Sequence, residues 1–162
     1  MSPGATADPR VLVRRFRERD AQTAADAIRT LKLRGKKGAA VDEAAMRTFL
    51  EREENVLVVA CAEATPVGYA VAYILDRVDG TGAMVLLYEV EVDAERRGAG
   101  IGRALVEQVT DLARETAAAK AWVLADPANL AARRLYAACG AGPASEQLLF
   151  AWSGCDNAPD VE

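Results

Sequence analysis

The chain has 162 residues, of which 51% are hydrophobic and 27% charged, with a formal net charge of -4 and no histidine. That length suits one domain with a real core, and the missing histidine excludes a His-based triad and a His metal site. The acidic balance argues against nucleic acid as the main partner and suits a small cationic one. Three widely spaced cysteines, Cys61, Cys139 and Cys155, point to free thiols in a reducing, cytoplasmic setting, with no disulfide framework and no metal site. No apolar run is long enough to span a membrane. Residues 1–8 lack a basic-then-apolar signal pattern, so export is not expected.

In chain order, residues 1–8 are expected to be a disordered tail, residues 9–152 a single domain and residues 153–162 an acidic tail. Val11 to Phe16 reads as a first strand. Asp20 is a candidate N-cap for a helix running towards Leu33, and 34–38 is a loop. Asp42 caps a second helix with Ala45, Met46 and Leu50 on one face. Asn55 to Ala62 and Pro66 to Leu75 form a strand pair turning near Glu63 to Pro66. Asp79-Gly80-Thr81-Gly82 is a hairpin turn into a strand from Ala83 to Val92. Ile101, Leu105, Val109 and Leu112 recur at helical spacing. Ala121 to Leu124 is a short buried strand, Asn129 caps a last helix that Gly140 ends, and Gln147 to Trp152 is a closing strand. The predicted order is β-α-α-β-β-β-α-β-α-β. It gives an α+β domain with a central, mostly antiparallel sheet of six or seven strands, about four helices and one β-α-β crossover.

Between the Ala83 to Val92 strand and the following helix lies Arg96-Arg97-Gly98-Ala99-Gly100-Ile101-Gly102-Arg103. Alternating glycines let a backbone wrap closely around a ligand. Free N–H groups at a helix start favour an anion, and arginines suit phosphate. The segment reads as a pyrophosphate cradle. It lacks the Gly-Lys-Ser/Thr of a Walker loop and the Gly-x-Gly-x-x-Gly of a dinucleotide fingerprint. Asp126, at a ribose-binding distance downstream, keeps a nicotinamide-binding domain as a remote option.

Arg97-x-x-Gly100-x-Gly102 resembles the Gln/Arg-x-x-Gly-x-Gly/Ala signature of the GNAT superfamily of acetyl-CoA-dependent N-acetyltransferases, and Val90-Glu91-Val92-Asp93 resembles that family's fourth strand. Asn129, Ala132, Leu135, Tyr136 and Gly140 resemble its downstream Asn-x-x-Ala-x-x-Leu/Phe-Tyr-x-x-x-Gly helix. The resemblance runs over residues 10 to 152 and is strongest from Tyr88 to Gly140. It implies direct acetyl transfer from acetyl-CoA, as co-substrate, to a primary amine. Cofactor contacts are then expected from Val90, Val92, Arg97, Gly98, Ala99, Gly100, Ile101, Gly102, Arg103, Asn129 and Tyr136, with the backbone at Val90 to Val92 pairing with the pantetheine arm.

Glu89 is the candidate general base. An acid inside an apolar strand is costly unless it meets water, a partner or a substrate. Several GNAT enzymes that modify polyamines or aminoglycosides resemble this chain in carrying an acid there. Strict alternation would place Leu87, Glu89 and Glu91 on one face and Tyr88, Val90 and Val92 on the other. Glu89 and Glu91 are candidate substrate contacts; the plainer alternative is an exposed strand face. Tyr136 is the candidate acid for the leaving thiolate, against the commoner role of core aromatic. Cys139 reads as core.

The run from Leu87 to Arg97, together with Val67 to Leu75, looks like the aminoglycoside 3-N-acetyltransferases of this superfamily. Glu89, Glu91, Asp76 and Asp79, with the tail acids Asp156, Asp160 and Glu162, would suit a polycation. The expected acceptor is therefore an aminoglycoside at its 3-N position. The alternatives are another small amine, a polyamine, a protein amine, or an acyl-CoA-binding module without turnover. The family's habit of dimerising admits a homodimer, although no interface patch is legible.

Overall fold

The computed structural model describes residues 10–32, 41–148 and 150. Five strands form one sheet in the order β1-β2-β3-β4-β5, where β1 is Val11–Phe16, β2 Asn55–Ala62, β3 Thr65–Asp76, β4 Ala83–Val92 and β5 Lys120–Val123. The first three pairings are antiparallel and β4–β5 is parallel. Four helices accompany it: α1 (Ala21–Lys32), α2 (Glu43–Leu50), α3 (Ile101–Glu115) and α4 (Leu130–Ala138). Parallel neighbours need a crossover, and α3 supplies it. The α+β class and the single β-α-β crossover are as expected. The sheet has five strands among the described residues rather than six or seven.

The sheet separates two apolar layers. On one face Leu105, Val106 and Val109 of α3 pack on Val56, Val58, Ala70 and Val85. On the other, Ala24, Ala25 and Ile28 of α1 and Met46 and Leu50 of α2 cover Leu57, Val59 and Tyr69. The period-two alternation of β2 and β3 feeds both layers, so these strands are apolar on both sides. Gly68 is where α3 comes closest. A Cβ there would stand 3.0 Å from the Glu91 carbonyl oxygen and 3.2 Å from side-chain carbons of Ile101 and Leu105.

Local signals mostly act as anticipated. Asp42 caps α2, accepting the Ala45 N–H at 2.7 Å, and Glu63 and Ala64, both at positive φ, make the two-residue β2–β3 turn. Asp20 is different. It closes a short 3-10 turn, Glu18–Asp20, and its carboxylate holds both Arg14 guanidinium nitrogens (2.8 and 3.0 Å) and the Arg17 N–H, so it is not the cap of α1. A bidentate arginine outcompetes a helix terminus for the same oxygens. The short strand β5 is exposed at Lys120 and Ala121 and half-buried at Trp122 and Val123, instead of buried. Of the expected closing strand, Gln147, Leu148 and Phe150 are irregular and exposed. Its remaining positions, both tails, the 34–38 loop and Cys155 lie outside the described residues.

Candidate functional site

The centre of the site is β4, where three irregularities coincide. First, β5 pairs only with Met84 to Leu87, so among the described residues β4 has a partner on its β3 side alone from Tyr88 to Val92. Backbone groups on the open side need another acceptor or donor. Second, the β3–β4 register slips: Val71 faces Glu89, yet Ala72 faces Leu87. Tyr88 is therefore the extra residue of a β-bulge. Third, beyond Val92 the chain turns through a 3-10 turn, Ala94–Arg96, into the glycine loop and α3.

The bulge corrects the expected faces of β4. Leu87 joins the α3 layer, as do Val90 and Val92. Tyr88 and Glu89 both line a cleft of about 180 Å³ on the α1–α2 face, with Lys32, Phe49, Tyr69 and Tyr73. Two successive side chains on one face are what a bulge permits. Phe49, Tyr73 and Tyr88 stack edge-to-face, with centroids 6.2 and 5.6 Å apart.

Glu89 is only 27% exposed at its side chain, and both its oxygens are engaged. Tyr69 Oη donates to Oε1 at 2.9 Å, and Lys32 Nζ donates to Oε2 at 3.0 Å. Tyr69 itself is 1% exposed. Burial first, then the nearby Glu89 charge, pushes its phenol far above its ordinary value, so it is a permanent donor. Sequence reasoning missed Tyr69 and Lys32, which stand 20 and 57 residues from Glu89. A fainter signal existed: an inward tyrosine and an inward carboxylate on neighbouring strands each need a partner.

Glu91 stands opposite Tyr69 in the β3–β4 ladder, but its carboxylate forms an ion pair with Arg97 at 3.2 Å. Asp76 and Asp79 are also elsewhere. Asp76 pairs with Ala83 and Val71 with Glu89, which puts Asp76 about 17 Å along the strand from Glu89 at ~3.4 Å per residue. Asp79 is bound within its own hairpin by Arg77 and Thr81. The tail acids lie outside the described residues.

At the cradle, Gly98 and Gly100 adopt φ of 81° and 79°, the left-handed region that glycine enters freely. Gly100 is the N-cap of the 15-residue helix α3 and supplies no side-chain cap. The N–H groups of Ile101, Gly102 and Arg103 find no acceptor among the described residues; the first helical bond is Ala104 N–H to the Gly100 carbonyl. These donors, at the positive end of the helix dipole, are suited to a phosphate. Ile101 anchors the turn with a buried side chain. Gly102 does a packing job as well, because a Cβ would touch Leu135 at 3.4 Å and Val92 at 3.6 Å. Ala99 is exposed beside the open donors.

The arginines are less free than the sequence suggests. Arg97 Nε donates to the Val92 carbonyl at 3.2 Å, and Arg103 Nε donates to Glu107 at 2.7 Å. Arg97 thus braces the end of β4.

On α4, Asn129 is the N-cap, its Oδ1 accepting the Ala132 N–H at 3.0 Å, which leaves its amide N–H groups available. Tyr136 packs partly against the α3 layer. Its hydroxyl has no hydrogen-bond partner among the described residues, and burial first, then Cys139, holds its pKa above the ordinary phenol value. Both identified thiols, Cys61 and Cys139, are pushed up mainly by burial, consistent with inert core thiols. Among the described residues no group of three or more His, Cys, Asp or Glu is placed to hold a metal ion, and no helix is long and apolar enough to cross a membrane.

An open strand edge, a donor-rich helix N-terminus beside it and a part-buried carboxylate on the same strand form an arrangement suited to group transfer from an anionic carrier. The chain belongs to the acetyltransferase (GNAT) family, whose model matches residues 25–141. No curated protein matches it in sequence. Among solved structures it resembles an aminoglycoside acetyltransferase, meta-AAC0020 from an uncultured soil metagenomic sample, in complex with sisomicin. The identity is 18%, covering 89% of this chain and 96% of that one, with a TM-score of 0.80. It also resembles the aminoglycoside N-acetyltransferase AAC(6')-Iy in complex with CoA, at 17% identity over 95% and 99% of the two chains, TM-score 0.70. A third is the ribosomal-protein-alanine N-acetyltransferase from Brucella melitensis biovar Abortus 2308, at 20% identity over 88% and 99%, TM-score 0.65. At these identities the likeness is one of fold.

Proposed function

We propose that this acetyltransferase takes its acetyl group from acetyl-CoA and delivers it to an amine of an aminoglycoside, at the 3-N position. The observation that carries the reading is the juxtaposition on β4. The strand's stretch beyond β5, Tyr88 to Val92, runs into the cradle and also bears Glu89 at the edge of an aromatic cleft. The cradle's fit to a pyrophosphate is supported by its unsatisfied N–H groups and by the open space that a Cβ at Gly98 would find. Bound there, acetyl-CoA supplies an activated thioester.

The chain's own groups supply the rest. Backbone donors from Gly98 to Arg103 hold phosphate, Val90 offers ladder groups to the pantetheine arm, and the amide N–H groups of Asn129 that capping leaves unused donate to it. Glu89, oriented by Tyr69, takes the proton from the acceptor's ammonium directly or through a water. Tyr136, protonated and without a hydroxyl partner among the described residues, gives a proton to the departing thiolate. The aromatic wall of Phe49, Tyr73 and Tyr88 offers ring faces to a polycation.

The aminoglycoside acceptor is supported by the strand resemblance and by the structural neighbours just named. The 3-N position rests on the strand resemblance alone; AAC(6')-Iy is of the 6' type. A protein amine is the second reading, favoured by the ribosomal-protein-alanine neighbour. The test is product analysis after incubation with acetyl-CoA and, separately, sisomicin, a kanamycin-type aminoglycoside, spermidine and a peptide amine. A 3-N-acetylated aminoglycoside by NMR is the expected result. Acetylation at another ring nitrogen corrects the position, and acetylation of the peptide alone replaces the acceptor class.

A further inference from the structure

One side chain in the cleft has no part in the chemistry just described. Lys32, the last residue of α1, places its Nζ 3.0 Å from Glu89 Oε2. It is a primary amine held by the group assigned as base, on the strand whose open stretch would receive the thioester. Tyr69 occupies the other carboxylate oxygen, so Oε2 is the oxygen left for a substrate ammonium, and Lys32 stands where that ammonium would bind. Its side chain is half exposed and is not part of either apolar layer, so packing does not account for the placement.

We propose that Lys32 is a self-acetylation site: in the absence of an acceptor amine, the chain transfers the acetyl group of acetyl-CoA to its own Lys32 Nζ. This rests on the proposed function, in that Glu89 is the base and the cradle holds acetyl-CoA. The Lys32 ammonium gives one proton to Glu89. The freed lone pair forms a bond to the acetyl carbonyl carbon, the carbon–sulfur bond breaks, and its electron pair leaves on the CoA sulfur. The nitrogen then loses a second proton and the sulfur gains one. One lysine ammonium and one acetyl-CoA become one N-acetyl-lysine, one CoA thiol and one proton, with nothing oxidised or reduced. The product carries no charge, so acetylation removes the cation that Glu89 holds.

The experiment incubates the full chain with acetyl-CoA and no acceptor, and follows acetylation of the Lys32 peptide by mass spectrometry. Lys120, exposed at the start of β5, reports uncatalysed acetylation. Lys32 is expected to react ~10²-fold faster than Lys120, the scale of general-base assistance, at a rate per molecule unchanged by diluting the protein. In Glu89→Gln its rate should drop to that of Lys120. Lys32→Arg keeps the cation but has no acetylatable amine, and should release no CoA thiol without an acceptor. A Lys32 rate no greater than that of Lys120, or one proportional to protein concentration, overturns the proposal. Thermal melts with acetyl-CoA separate the two failures. Stabilisation without Lys32 modification removes self-acetylation and leaves the cradle standing, whereas no stabilisation and no modification removes both.

Discussion

The two faces of the sheet are built on opposite principles. The α3 face is dry and close-packed: Leu105 is 0% exposed, and Gly68 is the only residue type that fits beneath α3 without displacing it. The α1–α2 face has the same apolar base but admits a tyrosine hydroxyl, a carboxylate and an ammonium around a cleft. Packing on the first face fixes the glycine turn rigidly, as a backbone cradle requires, because its donors have no side chains to adjust. Polar contacts on the second face converge on Glu89, as a site for a charged acceptor requires. The strand β4 belongs to both, and its bulge at Tyr88 is what lets Leu87 serve one face and Glu89 the other.

Substitutions can break this division. The largest effect is expected from Gly100→Asp. A side chain at φ 79° is strained, and a carboxylate there repels phosphate. Acetyl-CoA binding measured by calorimetry should be lost, and retained affinity would remove the cradle from the α3 face. Next comes Glu89→Gln, expected to lower turnover by ~10²-fold or more with acetyl-CoA affinity unchanged; wild-type turnover would make the cleft a mere surface. Tyr136→Phe should slow the chemical step with little effect on acetyl-CoA affinity, and unaltered single-turnover rates would return Tyr136 to the packed layer.

Two further changes concern stability. Leu105→Ala should cost about 2–5 kcal/mol in denaturant unfolding, and Gly68→Ala about 1–3 kcal/mol by forcing α3 outward. If Gly68→Ala were neutral, the close approach would not be what holds α3 in place. The smallest effect is alkaline. Tyr69, Tyr73 and Tyr136 all have pKa values raised mainly by burial. The folded state therefore keeps protons that the unfolded chain releases near pH ~10. This contribution is complete below that pH and is lost as pH rises towards the folded-state values. The unfolding midpoint should fall above about pH 10, and less steeply in Tyr69→Phe.

What the sequence revealed follows the same division. The α3 face was legible because its signals are local: Ile101, Leu105 and Val109 at helical spacing, and glycines where the turn needs them. Strand β4 was placed with the bounds it has. The bulge was not legible, since a slipped register is a property of two strands and leaves no mark in one, and strict alternation therefore put Leu87 beside Glu89. The Tyr69–Glu89–Lys32 group was hidden for the same reason: its members are brought together by pairing and helix docking across 20 and 57 residues. Asp20 shows a smaller version. Its residue type suits a helix cap, and only the nearby Arg14 fork decides otherwise.

Whether the donor-rich turn and the Glu89 cleft meet at β4 to move an acetyl group is decided by CoA-thiol release from acetyl-CoA with sisomicin as acceptor, in the wild type and in Glu89→Gln. Sisomicin-dependent release is expected in the wild type, with a ~10²-fold slower rate in the variant. Release at the same rate in both proteins would contradict it.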